Sequence, residues 1–268
     1  MRKLSLFLVA AMAMLSSAVY AQVEDNNMFN HLGVGVSVGT DGIGFDVAAP
    51  IGNYVQARAG YTFIPTISPT VTVGYDRTKN GEKNHYESDG KLSIKKGDFK
   101  LLFDVYPFKK SSFRVTAGAY IGGSEIATLR NKGPLAGIDE DEYGTAFLEL
   151  GHGPAGGKEI RTDPDGNVRG RVKVGGFKPY LGIGFGRSVP KKLVSVSCDI
   201  GVQFWGTPKV EVYNYNVIEE LSGWETLKKD NFDKNYSDDE KDAYNGFKLL
   251  DKVTVYPTIN VRVGFRAF

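Results

Sequence analysis

The sequence predicts an all-β fold: an eight-stranded antiparallel up-and-down transmembrane β-barrel with short periplasmic turns and long extracellular loops. Three observations predict it. Eight stretches alternate between apolar and small or polar residues, the period of a strand whose two faces meet different surroundings. Their connections alternate between short and mostly long ones, the asymmetry of an outer-membrane barrel. The faces opposite the apolar ones carry glycines and charges, which suit the narrow interior of an eight-stranded barrel.

The first expected strand, 31–39, sets Leu32, Val34, Val36 and Val38 against Gly33, Gly35, Ser37 and Gly39. Thr40-Asp41-Gly42 turns it, because Asp-Gly supplies a positive-φ position. The second, 43–49, sets Ile43, Phe45 and Val47 against Asp46. After a turn at 51–53, the third, 54–64, alternates Val55, Ala57, Ala59, Tyr61 and Phe63 with Gln56, Arg58, Gly60 and Thr62. The polar stretch 65–96 reads as the first long outer loop, with turn signals at Asn80-Gly81 and Asp89-Gly90.

The fourth strand, 99–107, has Phe99, Leu101, Phe103 and Val105 on one face and Lys100 and Asp104 on the other. Lys109-Lys110 turns into the fifth, 113–123, where Val115, Ala117, Ala119 and Ile121 oppose Arg114, Thr116, Gly118 and Tyr120. The second long loop, 124–176, is rich in glycine and charge, and Asp163-Pro164-Asp165-Gly166 reads as a hairpin tip. Strands six and seven form one hairpin around a short turn at Pro190-Lys191. In its second arm Val194, Val196, Cys198, Ile200, Val202 and Phe204 share a face opposite Ser195, Ser197, Asp199 and Gln203. The third long loop, 207–250, includes a predicted helix: Ser237 and Glu240 have capping-box spacing, and Tyr244, Phe247 and Leu250 follow at helical spacing. That face is expected to rest on the rim or mouth of the barrel. The last strand, 253–268, sets Val255, Ile259, Val261, Val263 and Phe265 against Asn260, Arg262 and Arg266.

The start, MRKLSLFLVAAMAMLSSAVYAQ, has the charge, apolar run and small-x-small ending of a signal peptide over 1–21, with cleavage between Ala21 and Gln22. Residues 22–268 then form one barrel domain. No later stretch is long and apolar enough for a spanning helix. Losing Arg2 and Lys3 takes the formal charge from +2 to about zero, which argues against a nucleic-acid binder. The single cysteine, Cys198, rules out a disulfide framework and a thiolate cluster, and it sits where a small hydrophobe would.

At PYLGIGFG (179–186), DIGVQFWGTPKV (199–210) and YPTINVRVGFRAF (256–268) the chain resembles a family of small Gram-negative outer-membrane barrels, grouped with OmpA-like and OmpW-like proteins and opacity-type surface antigens. The likeness covers the last three strands well and the earlier ones by pattern. It implies a barrel in the outer membrane, in contact with its lipid and lipopolysaccharide. It also implies insertion by the assembly machinery, which reads a C-terminal aromatic residue, here Phe268. Phe265, Val263 and Val261 alternate out of phase with Phe268, unlike the family, and a bulge near Arg266-Ala267 would restore the phase. The resemblance names no activity.

The sharpest expectation from the residues concerns charge pairs in the lumen. A turn centred near Gly52 places Asp46 opposite Arg58, and one at Lys109-Lys110 places Asp104 opposite Arg114; Asp199 and Arg262 form a candidate third pair. Such pairs favour a sealed monomeric barrel with a structural or surface-interaction role; the alternative is a narrow, porin-like channel or small-solute transporter. No catalytic, cofactor or metal site is predicted. His31, His85 and His152 lack metal-ligand spacing, and His152, between two glycines, reads as an exposed loop residue. The run from Asp163 begins like a calcium loop but has Val168 and Val174 where glycine and glutamate belong. The acidic run 139–142 reads as a solvated patch.

Overall fold

The computed structural model describes residues 31–108 and 110–267. The expected cleavage residues Ala21 and Gln22, the assembly residue Phe268, and Lys109 of the expected turn lie outside them. In chain order the strands are β1 (Gly33–Gly39), β2 (Gly42–Pro50), β3 (Val55–Ile67), β4 (Thr70–Lys79), β5 (Glu82–Val105), β6 (Phe113–Gly122), β7 (Glu125–Asn131) and β8 (Phe147–Leu150). Then come β9 (Lys158–Arg161), β10 (Arg169–Lys173), β11 (Phe177–Phe185), β12 (Val194–Phe204), β13 (Lys209–Asn214), β14 (Gly223–Leu227), helix α1 (Asp238–Leu250) and β15 (Val255–Arg266).

Eight of these close an antiparallel barrel in the order β1-β2-β3-β5-β6-β11-β12-β15, with β15 returning to β1 through Val34 opposite Phe265 and Val38 opposite Val261. They are the eight strands the alternation predicts. Burial follows the period of two on each: β11 alternates exposed and buried residues along its whole length. The buried members point inward and are largely polar, while the exposed members are large and apolar.

The long connections are not loops. Above the barrel, β4 and the first half of β5 form a hairpin that turns at Asn80 (φ 54°) and Gly81 (φ 85°), the positive-φ pair of a tight hairpin turn. The second expected turn, Asp89-Gly90, runs straight through β5, where Asp89 faces Thr72 and Gly90 faces Val71. A ladder partner on each side holds Gly90 extended, since it also faces Asn131 of β7. The extension continues from β5 through β7, β10 and β13 to β14 on one side and through β4 and β8 to β9 on the other. Its ends approach each other: the Asn214 side chain accepts from the Arg161 N–H (3.1 Å) and donates to the Glu159 carbonyl (3.2 Å), and Lys158 pairs with Glu225 (3.1 Å). Two apolar clusters are buried there, Tyr75, Leu135, Ile138, Ala146 and Leu148 in one and Ile160, Val212, Leu227 and Phe232 in the other.

Helix α1 starts where Ser237 predicts, its Oγ accepting from the Glu240 N–H at 3.2 Å. The Glu240 carboxylate does not close the box. It accepts instead from the N–H groups of Asp233 (2.7 Å) and His152 (3.1 Å). Tyr244 and Phe247 do not lie on the barrel mouth as expected; they pack on the Phe232 cluster of the extension, with the Phe247 and Phe232 rings stacked at 5.1 Å. That partner exists only because the second and third long connections fold together, Ile160 of β9 meeting Val212, Leu227 and Phe232.

Candidate functional site

The lumen is the densest polar constellation among the described residues. Four inward residues at its centre form a ring of alternating charge. Arg58 on β3 reaches Asp104 on β5 (Nε, 2.7 Å; Nη2, 2.8 Å) and Asp199 on β12 (Nη1, 2.9 Å). Arg114 on β6 reaches the same two carboxylates, Asp199 at 2.7 Å and Asp104 at 3.4 Å. Thr116 donates to Asp104 at 2.6 Å, and Ser188 also donates to it. Each carboxylate therefore faces two guanidinium groups, and both arginines are almost completely buried. Bidentate arginine suits such bridging because its planar fork presents several donors at fixed angles.

A second group lies beside the first. Asp46 on β2 binds Arg262 of β15 (2.6 Å) and Lys100 of β5 (3.1 Å), and Arg262 also donates to the Ser188 carbonyl (3.0 Å). A third sits toward the extension, where Asp98 binds Lys178 (2.7 Å) and Lys96 (3.1 Å). Lys96 also donates to Gln203 (3.1 Å) and lies over the rings of Tyr120, Trp205 and Tyr256, 5.3–5.7 Å from their centroids.

All six lumen residues named from the sequence thus meet in this interior: Asp104 and Arg114 pair as expected, at 3.4 Å, whereas Asp46 and Asp199 bind other arginines than the ones expected. Asp46 stands opposite Gly60, not Arg58, which stands opposite Ala48; the β2–β3 turn centres on Asn53, one residue later than expected. Asp104 stands opposite Thr116, so it meets Arg114 diagonally. Arg262 stands opposite Ser197 and turns away from Asp199 to Asp46. The long arginine side chains span these offsets, so pairs follow reach across the lumen rather than ladder position.

Glycine makes that reach possible. Arg114 faces Gly184 on β11, and Gly184 faces Asp199 on β12. A Cβ at Gly184 would lie 2.6 Å from the Asp199 carboxylate and 2.9 Å from Arg114 Nε, so the ion pair passes over the glycine. Gly35, between Asp46 and Gly264 on adjacent strands, is crossed in the same way by the Arg262 guanidinium, 2.3 Å from where a Cβ would sit. These small residues are saddles for long cations.

The turn expected at Pro190-Lys191 is a plug. Ser188, Val189 and Pro190 are buried at the base of the lumen. The N–H groups of Ser188 and Val189 donate to Tyr106 Oη (3.0 Å) and Gln56 Oε1 (3.0 Å), and Tyr106 donates to Gln56 (3.0 Å). A small, apolar Ser-Val-Pro run inside a basic turn was the available sign. The space left among Arg58, Lys100, Asp199 and Arg262 is about 10 Å³, enough for one water at most.

The outward face is the reverse. Phe99, Leu181, Ile200, Ile259 and Val36 stand exposed on their strands, and Cys198 shares this face, half-buried and free. Aromatic side chains gather toward both rims: Phe108, Phe113 and Phe185 near the short turns, and Phe45, Tyr61, Phe63 and Phe99 toward the extension.

On the extension, His152 is not the free loop residue expected. It stacks on Tyr236 (3.8 Å between centroids), hydrogen-bonds Glu240, and approaches Asp76 at 3.2 Å. Residues brought from β4 and α1 by the fold build this environment. The acidic run 139–142 is tied down by Lys79 (2.7 Å to Asp139) and Arg77 (2.5 Å to Glu142), and the Arg77 guanidinium holds the Glu142 carboxyl at about 2. Asp163 spends its carboxylate on the N–H groups of Asp165 and Asn167 and on Arg169, so that run is a turn, though β9 and β10 beside it do not pair with each other.

No family model matches the sequence, and no curated relative matches it. Among solved structures, the chain is similar to the crystal structure of Acinetobacter baumannii CarO2, with 21% identity and a TM-score of 0.43 over 90% of this chain and 100% of that one. It is similar as well to Acinetobacter baumannii CarO, with 19% identity and a TM-score of 0.43 over 87% of this chain and 96% of that one. The chain's own geometry supports a closed eight-stranded barrel with an ion-paired interior, an apolar exterior and a folded extension on one rim.

Proposed function

We propose that the chain is an integral outer-membrane β-barrel with a sealed, charge-filled lumen, and that its role is structural or surface-interacting, exercised through the extension, without catalysis. One observation carries this: the polarity is inverted. Arg114 and Asp104 are 0% exposed inside the barrel, while Phe99 (66%) and Ile259 (53%) stand outward. Water would penalise that exterior at about 25 cal/mol per Å² of apolar area. Hydrocarbon matches it, and a closed barrel pairs its backbone between strands with no free edge. The 9 residues of β11, 10 of β6 and 11 of β12 agree with the roughly 9–11 residues a tilted strand needs to cross a bilayer. The two aromatic gatherings fall where interfacial girdles belong.

The leader-like start and the resemblance of the last three strands support export and insertion by the outer-membrane assembly machinery, and on this reading lipid and lipopolysaccharide are the partners of the apolar face. The barrel closes within one chain, in keeping with a monomer. The filled lumen and the 187–192 plug favour a sealed barrel over a narrow channel. The test is single-barrel recording in planar bilayers after refolding in detergent. The expected result is insertion without conductance steps. Regular steps would favour the channel, and a protein monodisperse in detergent-free buffer would overturn the membrane reading.

A further inference from the structure

We infer that the extension holds a binding site for a divalent transition-metal ion, of the zinc class, formed by His85 Nε2 and the carboxylates of Glu87 and Asp239. The ligand atoms of these three residues lie within 4.8 Å of one another, and all three residues are exposed, so an ion can enter. Two come from the β4–β5 hairpin. His85 faces Asp76 and Glu87 faces Gly74, so the four positions share one face of the sheet. The third comes from the first turn of α1, which the Ser237 cap fixes in place.

The histidine is oriented as a ligand. Its Nδ1 lies 2.6 Å from the Asp76 carboxylate, which leaves Nε2 directed at Asp239, 3.4 Å away. Asp76 is itself 4% exposed and is held by Tyr236 Oη at 3.2 Å. A carboxylate behind the far nitrogen of a ligating histidine fixes the ring and raises its basicity, the usual outer-sphere arrangement at metal sites. Gly74 keeps the position open. A Cβ there would lie 3.1 Å from both His85 Nε2 and the Asp239 carboxylate, in the space an ion would need.

One imidazole and two carboxylates select zinc, nickel or copper over calcium and magnesium, which take oxygen alone. Three protein ligands leave a fourth position for water or for a donor from outside. Bound metal would tie α1 to the hairpin and neutralise the Glu87 and Asp239 carboxylates, which stand within 4.8 Å of each other. All three ligands lie in the extension, apart from the lumen.

The experiment uses the full chain, refolded in detergent without a polyhistidine tag and titrated with Zn²⁺ against a chelating dye. One ion should bind per chain, and Ca²⁺ at the same concentration should not displace it. His85→Gln and Asp239→Asn should each abolish tight binding. Asp76→Asn, which touches no metal, should weaken it by about 10- to 100-fold. Circular dichroism and gel mobility before and after heating report whether each variant still folds. Co²⁺ bound in place of zinc gives visible d–d absorption that reports the coordination geometry, and a change of that spectrum in His85→Gln reports imidazole ligation independently of affinity. Binding unchanged in His85→Gln, binding lost instead in His152→Gln or His31→Gln, or no saturable binding by the wild type would each overturn the site and leave an ion pair between His85 and its carboxylates.

Discussion

Arg114 on β6 and Asp199 on β12 meet at 2.7 Å across an intervening strand, passing over Gly184 of β11. The pair exists because that position has no side chain. Gly184→Val would push a branched side chain into both partners, and overpacking of this kind costs about 1–3 kcal/mol. Urea unfolding in liposomes should show that loss. An unchanged midpoint would mean that the pair can detour around the new side chain.

Arg58 and Asp104 share the same ring, so a double-mutant cycle between them reads its cooperativity. Asp104→Asn leaves two buried guanidinium groups on one carboxylate, and breaking a buried pair in this way costs about 3–5 kcal/mol. Arg58→Met should cost a similar amount. The double variant removes one charge of each sign and keeps Arg114 on Asp199, so it should recover much of the loss. Coupling below about 0.5 kcal/mol would show that the two side chains act independently.

Ile200 is 50% exposed on the outward face of β12. If that face meets hydrocarbon near the bilayer midplane, Ile200→Arg should cost about 2–4 kcal/mol in liposome folding. In the same assay an outward Ile→Arg change with no effect would place the apolar face in water.

Glu142 makes the Asp139–Glu142 turn acid-sensitive. Hydrogen bonding from Arg77 lowers its carboxyl from 4.5 to about 2. A depressed folded value means that the tether is fully formed above the unfolded value of 4.5 and is lost as pH falls from there through 2. Hydrogen exchange of this segment, corrected for intrinsic rates, should rise over that window, and Glu142→Gln should flatten the profile.

Phe247 anchors α1 on Phe232. Phe247→Ala should loosen the helix and speed proteolytic cleavage within the 228–252 stretch while leaving the heat resistance of the barrel unchanged. Conductance steps appearing in this variant would mean that the helix seals the mouth after all.

The barrel was legible in the sequence because a strand between two unlike environments writes its period directly. Val34 to Val38 on β1, Leu181 to Phe185 on β11 and Ile259 to Phe265 on β15 each alternate without a break. The extension was not legible for the same physical reason. Much of the hairpin of β4 and β5 is polar on both faces, with Thr72 and Asp89 on one and Arg77 and Asn84 on the other, so its periodicity carries little contrast; backbone pairing and a few contributed side chains such as Tyr75 hold it. Its one clear local sign, Asn80-Gly81, did mark the turn.

The sequence by itself determined which face of each barrel strand enters the lumen, because the face of a strand depends only on parity, though not that Ser188–Pro190 of a turn enters it too. Of the partners of the lumen side chains it gave only Asp104 with Arg114. A single residue in the centring of the β2–β3 turn moves Asp46 from Arg58 to Gly60, and only closure of the barrel brings Arg262 of the last strand beside Asp46 of the second. The meetings of Asp104 with Arg58, of Asp199 with Arg114 and of His85 with Asp239 likewise join residues that lie 46, 85 and 154 positions apart. Local pattern records what a residue faces, whereas ion pairs depend on where distant strands return, and tertiary structure alone decides that.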